Sequence, residues 1–172
     1  MNQSSDECEW RLPYEQATQN HLVAPALRSG STSLLRRDEV ESYLPMREPF
    51  LFVDEVTYVD QEKPSIAVRY DLARESRVLD SHFPGEPMWP GVLQIDATGQ
   101  AGGLLALMME NDLSCQSIAL THVHAARFPI PVRPGKPVEF CATYFESGLF
   151  RIVVGQCVQD GQICSTSAMS LA

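Results

Sequence analysis

One stretch of this chain limits its folding options more than any other. From Val92 to about Glu110 a helix would be apolar on nearly every side, with Ala97, Gly99, Ala101, Gly102, Gly103 and Ala106 as small residues. A surface helix carries a single apolar stripe, whereas a helix apolar all round must be buried. At 19 or so residues it approaches membrane length, but Gln94, Asp96, Thr98 and Gln100 interrupt it. No uninterrupted run of about 18 apolar residues exists, so the sequence predicts no membrane span. The helix is therefore expected at the centre of a protein core.

The remaining patterns are mostly β. Phe50–Val59 is rich in β-formers, and Ser65–Leu72 alternates apolar residues at Ile66, Val68 and Tyr70, with Asp60–Pro64 as the turn between. After the helix come Ser117–Val123 running into Ala125–Phe128, then Val138–Ser147, Leu149–Gln159 and Gln162–Leu171. Ser147-Gly148 and Asp160-Gly161 are tight-turn signals, so the last three strands are expected to form an antiparallel meander. Asp38–Leu44 reads as a short helical turn with Asp38 as N-cap and Pro45 as its stop. Two strands, one buried helix and a run of strands argue for α+β, an antiparallel sheet wrapped around one long central helix. That is the hot-dog arrangement. The 172 residues fit one such domain, 38–172, preceded by an N-terminal extension, 1–37. The extension is polar and without sustained periodicity, and Arg28–Ser33 reads as a flexible link. A loose tail is expected, with a strand or helix added to the domain edge as the alternative.

Thirteen Lys and Arg face twenty-two Asp and Glu, a net charge of −9, which argues against nucleic-acid binding. The five cysteines (Cys8, Cys115, Cys141, Cys157 and Cys164) form no Cys-x-x-Cys pair, and three lie in apolar strand-like stretches. Reduced, buried thiols in the cytoplasm are the simplest reading. The N-terminus has neither the basic nor the apolar region of a secretory signal.

The chemistry gathers where a Pro/Gly-rich loop meets the helix. His82 precedes Phe-Pro-Gly in a loop stiffened by Pro84, Pro87 and Pro90. Asp96 lies fourteen positions on, and a carboxylate on an apolar helix is costly unless it has partners or a task. Gln100, four residues later, shares its face. Gly91 opens the helix, where a backbone N–H lacks an intrahelical partner and sits at the positive end of the dipole. A base, an acid and a donor for a carbonyl oxygen are together what β-elimination from a thioester requires.

The run His82-Phe-Pro-Gly-Glu-Pro-Met-Trp-Pro-Gly-Val-Leu-Gln-Ile-Asp-Ala-Thr-Gly-Gln-Ala-Gly-Gly103 resembles the signature of bacterial (3R)-hydroxyacyl-acyl-carrier-protein dehydratases of FabZ and FabA type. Leu44–Val56 is similar to that family's opening motif, and Ala126–Gly135 to its strand-and-turn segment. The resemblance implies dehydration of a 3-hydroxyacyl thioester to a trans-2-enoyl thioester. In it His82 takes the α-proton, Asp96 helps protonate the departing hydroxyl, directly or through water, and the Gly91 N–H polarises the carbonyl. It further implies that the Met88 carbonyl fixes the imidazole tautomer and that Gln100 orients Asp96. Phe83, Trp89 and Pro90 are candidate substrate-side residues. Acyl carrier protein is the implied partner. The implied assembly is a homodimer or trimer of dimers, with His82 of one subunit facing Asp96 of the other. No metal and no redox cofactor are implied. A dehydratase-isomerase giving a cis-3 product, an acyl thioesterase on the same fold and a non-catalytic partner subunit are the alternatives.

Several positions depart from the family pattern. Met46 replaces a histidine, which touches the tunnel entrance or local packing. Asp96 is the FabA-type choice in FabZ-like surroundings. Trp89 either packs or caps the substrate channel. Gly99, Gly102 and Gly103 either permit close helix–sheet packing or widen an acyl channel. Arg127, Arg133 and Lys136 are what remains of a basic carrier-protein patch, or are plain solvated charges. His122 and His124 alternate on a strand, but without a carboxylate or cysteine at ligand spacing they read as ordinary strand histidines. These departures and the extension point to a specialised pathway, such as polyketide or other secondary acyl chains.

Overall fold

The computed structural model describes residues 9–28, 33–110 and 118–172. Cys8, Cys115 and most of the 28–33 link lie outside them. The central helix is α5, Gly91–Glu110. Before it come α1 (Arg11–Gln19), α2 (Pro25–Arg28), β1 (Leu35–Arg36), α3 (Arg37–Tyr43), β2 (Glu55–Asp60), β3 (Ser65–Tyr70), a 3₁₀ turn at Leu72–Glu75 and α4 (Ser76–Ser81). After it come β4 (Leu120–Arg127), β5 (Val138–Ser147), β6 (Phe150–Gln159) and β7 (Gln162–Leu171). The seven strands form one antiparallel sheet in the order β1-β2-β3-β5-β6-β7-β4. The expected α+β hot-dog architecture is thus present, with the meander β5–β7 at its centre.

The helix lies on one face of that sheet. Leu104, Leu105 and Leu107 are fully buried, against Val68, Tyr70, Phe140, Val153 and Met169 from the strands. The small residues let the two layers close. A Cβ on Gly102 would stand 2.5 Å from Val153 Cγ1, and one on Gly103 2.9 Å from Ile118 Cδ1. These two glycines therefore serve close packing rather than a wider channel. The sheet answers in kind at Gly155 of β6, where a Cβ would meet Thr98 Cγ2 at 2.1 Å and the Cys141 carbonyl oxygen at 3.0 Å. Gly155→Ala is expected to lower stability by about 1–3 kcal/mol through overpacking, read from the denaturation midpoint. Because the methyl of Thr98 is the nearer obstacle, adding Thr98→Ser should return part of that loss.

The opposite face of the sheet is also covered. Tyr14 and Ala17 of α1 pack on Val154 and Ala168, and Val23 packs on Ala67 and Cys141. The Gln156 amide, projecting from β6, accepts from Leu22 N at 2.9 Å and donates to the Asn20 carbonyl at 2.8 Å. Arg28, 2% exposed, pairs with Glu139 at 2.8 Å. The described part of the extension is therefore a docked helical layer, the alternative to a loose tail. Burial from both sides explains why β6 and β7 lack a clean in–out alternation.

Two local expectations are corrected. The N-cap position of α3 is Arg36, whose backbone N–H is received by Glu39 at 2.9 Å, and Asp38 lies inside the first turn. The strand expected from Phe50 starts at Glu55, and Leu51, Phe52 and Val53 are buried extended chain. The Phe50 carbonyl and the Phe52 N–H bond the Gln100 amide of the helix instead, and the Leu51 carbonyl accepts from Arg37. The turn and helix over Leu72–Ser81 are additional to the sequence reading. Asp71 caps that turn by accepting from Ala73 N, and this short segment carries the chain to His82.

Candidate active site

His82 follows the last turn of α4, its N–H donating to the Val78 carbonyl at 2.9 Å. From there the loop closes on itself. Phe83 and Glu86 exchange backbone hydrogen bonds around Pro84 and Gly85, whose φ of +83° is the position such a turn gives to glycine. Met88 N donates to the His82 carbonyl at 2.8 Å, and the imidazole Nδ1 lies 3.0 Å from the Met88 carbonyl oxygen. A carbonyl only accepts, so Nδ1 carries the proton and Nε2 presents its lone pair. The Phe83 ring stacks on the imidazole at 4.2 Å and is itself half exposed. Arg133 ties the loop down from outside, bonding Glu86 at 3.0 Å and approaching the Pro87 carbonyl at 3.4 Å.

The loop delivers Trp89, whose N–H donates to the Val132 carbonyl at 2.8 Å. Trp89 is 1% exposed, and its ring packs on Phe52, Tyr70 and Phe140. It is a core side chain and does not cap a channel at the surface. Pro90 then supplies the carbonyl that receives Leu93 N and Gln94 N, so Gly91 and Val92 place their N–H groups ahead of the first helical bonds. The ring of Phe128 lies so near Gly91 that a Cβ there would come within 2.8 Å of it.

Asp96 stands half-buried on the second turn of α5. Gln100 Nε2 donates to Asp96 Oδ2 at 2.8 Å and to the Phe50 carbonyl at 2.8 Å, while its Oε1 accepts from Phe52 N at 2.9 Å. Every hydrogen-bonding group of this amide has a partner and its orientation is fixed. Gln100 thereby locks the Phe50–Phe52 chain to the helix and holds one oxygen of the carboxyl. Burial raises the Asp96 pKa above the ordinary carboxylate value, and the Gln100 bond offsets part of the rise. Gln100→Leu is expected to reduce turnover roughly tenfold or more by freeing the carboxyl, with little change in KM. It should also leave the backbone groups of Phe50 and Phe52 unpaired, at a cost of about 1–3 kcal/mol of stability. Steady-state kinetics and denaturant melts read the two effects separately.

Beside Asp96 one chain encloses only about 20 Å³, between Met46, Gly99, Gln100, Leu120, Met169 and Leu171. Met46 therefore lies at the carboxyl. The β4 and β7 contributors are brought there by strand pairing, and no local sequence pattern announces them. The expected basic patch is largely compensated: Arg133 pairs with Glu86, and Lys136 with Asp160 at 2.8 Å. Arg127 is exposed on β4. His122 and His124 lie on β4 with ring centres 4.7 Å apart. Burial, and His122 beside it, lower the pKa of His124. Among the described residues no group of three or more His, Cys, Asp or Glu is placed to hold a metal ion. No helix among them is long and apolar enough to cross a membrane.

Residues 44–166 match the family model described as a FabA-like domain. The chain is 30% identical over 137 residues to the 3-hydroxyacyl-[acyl-carrier-protein] dehydratase FabZ of Campylobacter curvus, covering 76% of this chain and 92% of that protein. It is 29% identical, with the same coverage, to the enzyme of that name from a Nitratiruptor species. Among solved structures, the dehydratase heterocomplex ApeI:P from Xenorhabdus doucetiae superposes with a TM-score of 0.64 at 17% identity, over 77% of this chain and 88% of that one. A protein described as a putative thioesterase, related to phenylacetic acid degradation, from Ralstonia eutropha superposes with a TM-score of 0.53 at 19% identity, over 67% of this chain and 81% of that one.

Proposed function

Because this chain belongs to the FabA-like family, we propose that it dehydrates a 3-hydroxyacyl thioester carried on an acyl carrier protein to the trans-2-enoyl thioester, with His82 as base and Asp96 as acid. The observation that carries the reading is the pair of preset groups: an imidazole whose Nδ1 is tied to the Met88 carbonyl, and a half-buried carboxyl held by Gln100. Nε2 of His82 removes the α-proton, and the electron pair left on Cα forms the Cα=Cβ double bond. The Cβ–O bond breaks, and the hydroxyl takes the Asp96 proton and leaves as water. The Gly91 N–H holds the thioester oxygen while it carries negative charge. A fixed donor of this kind contributes roughly 3–4 kcal/mol, and each positioned proton-transfer group ~10²–10⁴-fold.

The site needs two subunits in this reading. One chain leaves about 20 Å³ beside Asp96, roughly room for one water, and no acyl chain fits there. The sheet ends at β4, an edge strand whose Leu120 and Val123, with Phe128 just past its end, are more than 40% exposed. An uncovered apolar edge is the natural place for a second copy, and Leu120 lies next to Asp96. A second subunit there brings its own His82 loop to this carboxyl. Residues 38–172 form the catalytic domain and 1–37 the extension. The carrier protein docks at the rim near Arg127, Arg133 and Lys136, and the enzyme works in a reducing cytoplasm, in keeping with free, buried Cys141, Cys157 and Cys164. The extension and the altered positions suit a specialised acyl or polyketide pathway.

Incubation with 3-hydroxyacyl-carrier-protein substrates of several lengths, followed by mass spectrometry, tests the reaction. Loss of 18 mass units with the thioester intact is expected. Release of free carrier thiol would instead identify a hydrolase.

A further inference from the structure

We propose that His122 and His124 chelate a divalent transition-metal ion on the outer face of β4, at a site separate from the elimination chemistry and independent of that reading. Both residues belong to register irregularities in the β4–β7 pairing: His122 closes the one at Leu120/His122, and His124 lies within the one at Val123/Ala125. Bulges of this kind re-aim side chains, and here both imidazoles come together, their ring centres 4.7 Å apart and their planes inclined by 41°. Two imidazoles sharing one ion at a metal–nitrogen distance near 2.0–2.1 Å have ring centres roughly 4.5–5.2 Å apart for bond angles between square and tetrahedral. The observed spacing falls inside that window.

The surroundings favour a ligand pair over two idle surface rings. His124 Nε2 lies 2.7 Å from the Ser170 hydroxyl. That bond fixes the ring and leaves Nδ1 as the coordinating nitrogen, the arrangement by which neighbouring groups usually orient metal-bound histidine. Trp10 stacks on His124 with ring centres 5.4 Å apart and planes 17° from parallel, so the imidazole is held on its faces as well as its edge. A cavity of about 560 Å³ opens over the pair, bordered by Trp10, Ser147 and Phe150. No third histidine, cysteine or carboxylate joins them among the described residues, so water completes the coordination sphere and the ion is exchangeable. An imidazole-only donor set suits Zn²⁺, Ni²⁺ or Cu²⁺ and not Mg²⁺ or Ca²⁺. Pairing of a second copy along the β4 edge uses backbone groups and leaves side chains on the outer face standing clear.

Trp10 reports on the site directly. The full chain has two tryptophans, and the other, Trp89, is buried in the core on the far side of the sheet. Titration with Ni²⁺ should quench tryptophan emission saturably, with one ion per chain by calorimetry and full reversal by a chelator. His122→Gln, at an exposed position, should weaken binding at least tenfold, whereas His21→Gln should leave it unchanged. Trp10→Phe should remove the quenching and keep the calorimetric binding. Absence of saturable Ni²⁺ binding, or an unaltered titration in His122→Gln, overturns the proposal, whatever the dehydratase assay gives.

Discussion

His82→Ala should abolish enoyl formation while leaving the protein folded. The imidazole is partly exposed and packs chiefly on Phe83, so its loss removes little buried surface. In the proposed reaction its contribution is the proton it accepts. The α-hydrogen of a thioester is far less acidic than imidazolium, so the proposed transfer requires a base fixed at the reacting carbon and a held oxyanion. Removing a positioned base costs about 10²–10⁴-fold, and more when base, acid and oxyanion donor act as a unit. Circular dichroism and the melting transition should match the unaltered protein while the product signal disappears. Turnover retained within tenfold would remove His82 from the mechanism.

Asp96→Asn should lower kcat at least a hundredfold, again within the range for one proton-transfer group. Asparagine keeps an oxygen for Gln100 to donate to, so the helix and the Phe50–Phe52 chain stay in place and only the transferable proton is lost. Stability should move the opposite way. Burial raises the Asp96 pKa in the folded state, so the folded chain holds this proton more firmly than the unfolded one. The group's contribution is intact below the unfolded carboxylate pKa and is lost as pH rises from there through the raised folded value. The Asn variant lacks this titration. Its stability relative to the parent should climb across that window and then level off, as denaturant melts at stepped pH would record. In activity, the parent should decline on the alkaline side as Asp96 ionises, and the residual rate of the variant should not show that decline.

The part of the site that could be read from the sequence is the part with short-range logic. His82 and Asp96 stand on one loop-and-helix segment, and Gln100 follows Asp96 by one helical turn, so spacing alone joins the amide to the carboxyl. The anchors of Gln100 could not be read this way. Phe50 and Phe52 lie about fifty residues upstream, and their β-rich composition pointed to a strand, whereas their backbone groups are taken up by a side-chain amide. Tertiary demand overrode local propensity there. The same holds for the extension. Arg11–Gln19 is a weak helix by its own sequence and is held in place by Gln156, more than 130 residues away. Arg133 has a task that charge alone does not reveal: its guanidinium braces the His82 loop through Glu86. The fold itself was legible because the helix Gly91–Glu110 has no polar face to leave in water, and a wrapping sheet is the economical way to cover it.

In the proposed assembly His82 of one chain serves Asp96 of another. The decisive experiment unfolds the two variants, His82→Ala and Asp96→Asn, and refolds them together. Random pairing in a two-fold dimer makes half of the assemblies mixed, and each mixed dimer regenerates one site with both groups intact, so activity should return to about a quarter of the unmixed parent. If every site were built within one chain, each would still carry a lesion, and the mixture would stay as inactive as its components.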